Sequence, residues 1–233
     1  MYAIFDTETI NATTMPFIYD FGMTITDGTG KIFDRYTAIV SEIARTPQLF
    51  NRAFYQWKKP IYILRKNIVK SFHDIMADVA ALLDKWNVHT IGAYNLAFDL
   101  RAINKTMDFL TIPGKFFQRE LNFVDLWSAS CETIFSTPDF IEWAENNGYI
   151  SDANNIKTNA EVAFCWATKN VEFSEAHVAL DDAEIESVIL AACIADGNAF
   201  TTNRLIGSPW RIVANYREWL DTFLYLEDVG QNW

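Results

Sequence analysis

The 233 residues carry a formal charge of −11 and are 50% apolar, the composition of a folded globular chain rather than a disordered or fibrous one. No apolar run approaches the roughly 20 residues that span a bilayer, no basic region with a small-residue cleavage site opens the chain, and Cys131, Cys165 and Cys193 are odd in number and scattered through apolar helical patterns, which excludes a disulfide framework or a zinc site. One domain in a reducing cytoplasm is expected, and the acidic balance argues against a polyanionic partner unless positive charge is concentrated locally.

Tyr2 to Phe5 is a short apolar run followed by carboxylates, which reads as a buried strand ending at a site. Phe17 to Thr26 and Lys31 to Val40 are β-rich and separated by Asp27-Gly28-Thr29-Gly30, a hairpin signal, so three antiparallel strands open the fold. The positive charge comes next. Between Ile43 and His73 lie seven basic residues, among them Lys58 and Lys59, and no acid, which leaves 12 basic against 30 acidic residues elsewhere. Phe50, Phe54, Tyr55, Trp57 and Tyr62 are interleaved with them, the mixture of phosphate-attracting charge and stacking rings used by single-strand binders.

Helical spacing resumes over Phe72 to Trp86. A fourth strand is expected over His89 to Ala93, a helix over Phe98 to Met107, and a fifth strand over Asn122 to Val124 leading into a helix from Leu126, an order of βββαβαβα. Further helices are expected over Pro138 to Asn147, Asn159 to Thr168, Val178 to Ala195 and Trp210 to Leu226, broken by Gly148, Gly197 and Pro209.

Three short stretches carry chemistry. In Phe5-Asp6-Thr7-Glu8-Thr9, side chains two apart project to one face of a strand, so Asp6 and Glu8 converge. Adjacent carboxylates at the end of an apolar strand repel and lose hydration unless a cation neutralises them, and their hard oxygens suit magnesium or manganese. Asp99, in the first turn of the helix after Asn95, shares a face with Ala102 and Ile103 and is expected to point into the protein, with Asn95 as N-cap. His177 precedes a helix that opens with Asp181 and Asp182, and helical periodicity does not choose between the two acids.

Together, in this order and at these separations, the three stretches resemble the exonuclease motifs of the DEDDh family, which includes ribonuclease T, oligoribonuclease and the proofreading subunit of bacterial DNA polymerase III. The match runs through Phe5 to Thr9, Asn95 to Asp99, and His177, Ala179, Leu180, Asp182 and Ala183, over residues 1 to 195 or so. The family spacing selects Asp182, and Val178 stands where the tyrosine branch of the family would carry its tyrosine. Tyr94 replaces a common histidine, and Ile10-Asn11-Ala12-Thr13 replaces a frequent glycine, both near where relatives seat the terminal nucleotide.

The resemblance implies an α/β, ribonuclease H-like fold: a five-stranded mixed sheet, three antiparallel strands then parallel additions, flanked by helices. It implies a catalytic domain over 1–197 with an insertion at about 43–70, and a helical extension over 198–233 packed on it. The implied activity is 3′-to-5′ hydrolysis of single-stranded nucleic acid to nucleoside 5′-monophosphates with two divalent ions, Mg²⁺ or Mn²⁺. Asp6 would bridge the ions, Glu8 and Asp182 would complete the first site, Asp99 would serve the second, and His177 would be the base. Thr9, Phe17 and Phe98 are candidates for seating the 3′ end, and Lys58 and Lys59 for holding the strand. Asp125, at a strand-to-helix junction, is expected to cap its helix. DNA is favoured slightly over RNA as substrate; a trimmer of RNA ends is the alternative within the enzyme class, and a docking protein that retains the fold is the alternative outside it. The sequence carries no polymerase or helicase segment and no interface signal, so a stand-alone enzyme or separately encoded subunit is expected, with a homodimer or a replication or repair partner compatible.

Overall fold

A computed structural model describes residues 1–11, 15–53 and 68–230, with the side chains of 68 and 223–230 excepted. Strands β1 (Tyr2–Ile10), β2 (Phe17–Thr26) and β3 (Ile32–Val40) lead to two short helices, α1 (Ser41–Ala44) and α2 (Pro47–Phe50), and then to β4 (Ile68–Lys70) and α3 (Phe72–Lys85). After β5 (Thr90–Ala93), α4 (Leu96–Leu110) and β6 (Asn122–Asp125), the chain is helical: α5 (Leu126–Glu132), α6 (Pro138–Asn146), α7 (Ala160–Thr168), α8 (Ala179–Ala195) and α9 (Trp210–Gly230).

The sheet order is β4-β3-β2-β1-β5-β6. β1 to β3 form an antiparallel meander, and β5 and β6 add parallel strands on the β1 side. This is the expected α/β class with six strands rather than five. The extra strand, β4, pairs parallel with β3 through only three residues, Ile68 to Lys70, too few to show a periodic signal. The hairpin forms where its turn residues predict it, with Asp27 Oδ1 accepting from the Thr29 amide at 2.8 Å.

β1 is longer than its apolar run. β2 pairs with it from Tyr2↔Thr26 to Ile10↔Phe17, so hydrogen bonding carries the strand past Phe5 and places Asp6 and Glu8 inside it. β5 pairs with β1 only over Tyr2 to Ile4, so beyond that the register leaves β1 without β5 beside it. The acidic pair sits where the sheet opens.

Two cores lie on opposite faces of the sheet. Ala3 and Phe5 join one that contains Phe72, Val79 and Leu83 of α3 and Ala102, Ile103 and Met107 of α4. Ile4 joins the other, with Leu126 of α5, Phe140 of α6, Val162 of α7, Ile189 and Leu190 of α8 and Val213 of α9. All ten residues of β2 are buried because both faces are covered. At the far edge Asn203 covers β6, its amide donating to the Phe123 carbonyl and its Oδ1 accepting from the Phe123 amide, each at 2.9 Å. Among the described residues no helix is long and apolar enough to cross a membrane.

Candidate active site

Strand parity decides which way the first acidic pair faces. Asp6 and Glu8 share the parity of Ile4, so they project on the α8 side of the sheet, while Thr7 has the opposite parity and donates its hydroxyl to Asp99 Oδ1 of α4 at 2.7 Å. One strand thus serves both helices.

What brings α8 to that place is Gly22 on β2. It is the register partner of Asp6, and a Cβ built there would stand 2.1 Å from the Leu180 nitrogen and 2.2 Å from the Ala179 carbonyl carbon. The first turn of α8 therefore rests directly on sheet backbone. Asp20, the register partner of Glu8, reinforces the contact by accepting from the Ala179 amide at 3.2 Å through Oδ2, and Thr24 and Ser187 hydroxyls meet at 2.7 Å two turns further along α8.

The result is a cleft of about 340 Å³ lined by Asp6, Thr7, Glu8, Thr9, Tyr94, Phe98, Ala160, Glu175, His177, Asp182 and Glu186. One ligand atom each of Glu8, His177 and Asp182 lies within 4.8 Å of the others. Asp182 is 8% exposed and faces this space, whereas Asp181 does not line it. His177 sits in the approach to α8 with a left-handed backbone, φ 49°, and its Nδ1 is 3.8 Å from Glu175 Oε2. Asp99, 2% exposed, does not line the cleft and lies behind Thr7.

Crowding of acids controls the charge here. Burial, and then the charges of Asp99, Glu186, Asp182 and Glu8, hold Asp6 well above the usual carboxylate range. Burial pushes Asp99 up to about 7, with the Thr7 hydroxyl pulling the other way. Glu186 is raised by burial and then by Asp99. Protons or cations must neutralise such a cluster.

The remaining sequence candidates divide. Thr9 and Phe98 line the cleft, and the Arg101 guanidinium lies 5.4 Å from the Phe98 ring centroid. Phe17 is 5% exposed, stacks on Phe109 at 4.7 Å and does not reach the cleft: it closes the core end of β2. Lys58 and Lys59, with Phe54, Tyr55, Trp57 and Tyr62, lie outside the described residues. At the ends of that segment Phe50 packs edge-on against Tyr19 and Lys70 pairs with Asp78, while Ala53 bridges to Ile10 at the end of β1. Two capping expectations change. Asn95 occupies the N-cap of α4 with φ 63° and no side-chain cap bond; Asp125 Oδ1 accepts from the Leu96 amide instead, at 3.2 Å, so the aspartate caps the neighbouring helix rather than its own.

No family model matches the chain, and no curated protein matches it in sequence. Solved structures do. A full-length 3′-exonuclease aligns with a TM-score of 0.57 at 12% identity over 90% of this chain and 88% of that one. The chain has the fold of a 3′-exonuclease. Cell-death related nuclease 4 aligns at 0.53 and 15% identity, over 89% of this chain and 69% of its own. The zinc-bound complex of E. coli ExoI with single-stranded DNA aligns at 0.49 and 16%, over 84% and 40%.

Sequence reasoning missed Glu175, Glu186, Asp20 and Gly22. Glu186 carries a usable signal, its i+4 spacing from Asp182 on one helix. Asp20 and Gly22 carry none, because their roles depend on register with β1 and on where α8 lands.

Proposed function

We propose that the chain is a metal-dependent 3′-to-5′ exonuclease of the DEDDh type, releasing nucleoside 5′-monophosphates from single-stranded 3′ ends, DNA ahead of RNA. The observation that carries this reading is the convergence of Asp6, Glu8, His177 and Asp182 on one cleft from distant parts of the chain, with Asp99 tied to the same strand through Thr7. A fold shared with a 3′-exonuclease and a cell-death related nuclease supports it.

The donor set fits divalent metal. It is built of hard carboxylate oxygens beside one imidazole, and one buried oxygen, Oε2 of Glu186, has no hydrogen-bond partner. Asp6, Glu8 and Asp182 would hold one Mg²⁺ or Mn²⁺ ion and Asp6 with Asp99 a second. When bound, such ions supply Lewis acidity that stabilises charge on the phosphodiester and on the departing 3′ oxygen.

His177 takes a proton from the attacking water as the oxygen–phosphorus bond forms and the bond from phosphorus to the 3′ oxygen breaks; the departing oxygen takes a proton from solvent water. Glu175, its Oε2 3.8 Å from Nδ1, would stabilise the imidazolium that forms when Nε2 takes the proton. Thr9 and Phe98 would seat the last nucleotide, and the cleft volume, near the low end of the roughly 300–1,000 Å³ of small-molecule sites, suits one residue of a strand. The cationic segment that begins beside the end of β1, with Lys58 and Lys59, would guide the strand.

We also propose residues 1–197 as the catalytic unit and 198–233 as an extension packed on it. The burial of Val213, at 1% exposure, and the 2.6 Å bond from Arg217 to Glu145 support that division.

The test is digestion of 3′- and 5′-labelled single-stranded DNA and RNA with Mg²⁺ or Mn²⁺, comparing wild type, Asp6→Ala and added chelator. Stepwise shortening from the 3′ end, abolished by the substitution and by chelation, is expected, and the relative rates give the sugar preference. A well-folded wild type that cleaves neither polymer would overturn the reading.

A further inference from the structure

Glu186 is not among the five positions that the motif resemblance supplies. It lies one turn beyond Asp182 on α8, lines the same cleft and is 3% exposed. The Tyr94 backbone acts against the rise in its carboxyl pKa, while Oε2 is buried with no partner. A buried oxygen in that state is costly, and more so when charged. Asp99, Asp182, Glu175 and Asp6, whose charges act on it, are all acidic, so they bring repulsion and no positive charge. A cation is the ligand chemistry that answers both.

We propose that Glu186 is a further metal-holding carboxylate, its buried, unpartnered oxygen presented to a divalent ion in the cleft. Asp99 lies behind Thr7 and does not line the cleft, whereas Glu186 lines it together with Asp6, and both feel the Asp99 charge first. This deepens the proposed function and rests on the cleft being a divalent-metal site.

Calorimetric titration of the full chain with Mn²⁺, wild type against Glu186→Gln, tests it without reference to turnover. Glutamine keeps the size and one acceptor oxygen while removing the charge. Loss of one bound equivalent, or about tenfold weaker binding of one ion, is expected, a size typical of removing a supporting group at a metal site. The thermal midpoint in chelator should be unchanged or raised, because a like charge has gone. If the glutamine variant does not fold, Glu186→Asp, which keeps the charge but retracts the oxygen by one methylene, is titrated instead, with the same loss expected. Binding of the wild-type number of ions at wild-type affinity in the folded variant overturns the role of Glu186 alone. A wild type that binds no Mn²⁺ overturns the metal reading of the cleft and this inference together.

Discussion

His177 is held by three things at once: a left-handed backbone, a carboxylate 3.8 Å from Nδ1, and an N-terminal helix turn that begins two residues later. Together they fix the imidazole's position, so removing the imidazole should strike the chemical step rather than binding. His177→Asn is expected to lower kcat by about 10²–10⁴-fold with KM changed far less, the loss typical of a general base. Steady-state rates on a labelled oligomer at several concentrations check this, and a KM change with kcat intact would reassign the residue to substrate binding. Much of this was legible in the sequence, since Asp6 and Glu8 follow strand parity and His177 precedes a helix start. Glu186 was not. α8 is buried nearly all round, with Asp182, Ala183, Ile185, Glu186, Ile189 and Leu190 inside together, so no single apolar stripe ranks its acids.

At the scale of elements, the site depends on how closely α8 sits on β2. Strand existence and order could be read from alternation and turn residues, but the contact could not, because a glycine inside a strand signals only that some backbone comes near. Which backbone is settled by register: Gly22 pairs with Asp6, so the same glycine that admits the Ala179–Leu180 peptide sets the distance between the first and third motifs. Gly22→Ala is therefore expected to destabilise the fold by about 1–3 kcal/mol or more, since the added methyl meets backbone that has no rotamer to escape into. It should also depress nuclease activity beyond the loss of folded protein, as α8 carries Asp182 away from Asp6. Thermal unfolding beside rates normalised to folded fraction separates the two. Full specific activity in a destabilised Gly22→Ala protein would show that α8 tolerates displacement. The apolar runs likewise hid how far β1 extends, because Asp6 and Glu8 stay in the strand through pairing with β2 and not through hydrophobicity.

Over the whole molecule, a net charge of −11 opposes the approach of a polyanion unless something neutralises the cleft. Asp6, Asp99 and Glu186 are all raised, Asp99 from 3.8 to about 7, mainly by burial. Each therefore keeps its proton in the folded chain at a pH where the unfolded chain has lost it. Folding binds protons between the two values, so this contribution to stability is full below the unfolded value and is lost as pH rises through the folded one. Without metal, the thermal midpoint is expected to climb by several degrees as pH falls from 8 to 5.5, on a scale of about 2–4 °C per kcal/mol for a chain of this size. Millimolar Mg²⁺ or Mn²⁺ at pH 8 should restore the midpoint, because the ion replaces the protons, and the same ion should do less at pH 5.5, where it must displace them. Unfolding scans at the two pH values, each with chelator and with metal, measure all four states. A metal-free midpoint that is flat or rises with pH would mean that the cleft carboxylates are already solvated and charged, and the case for cations as their natural partners would lose its electrostatic basis.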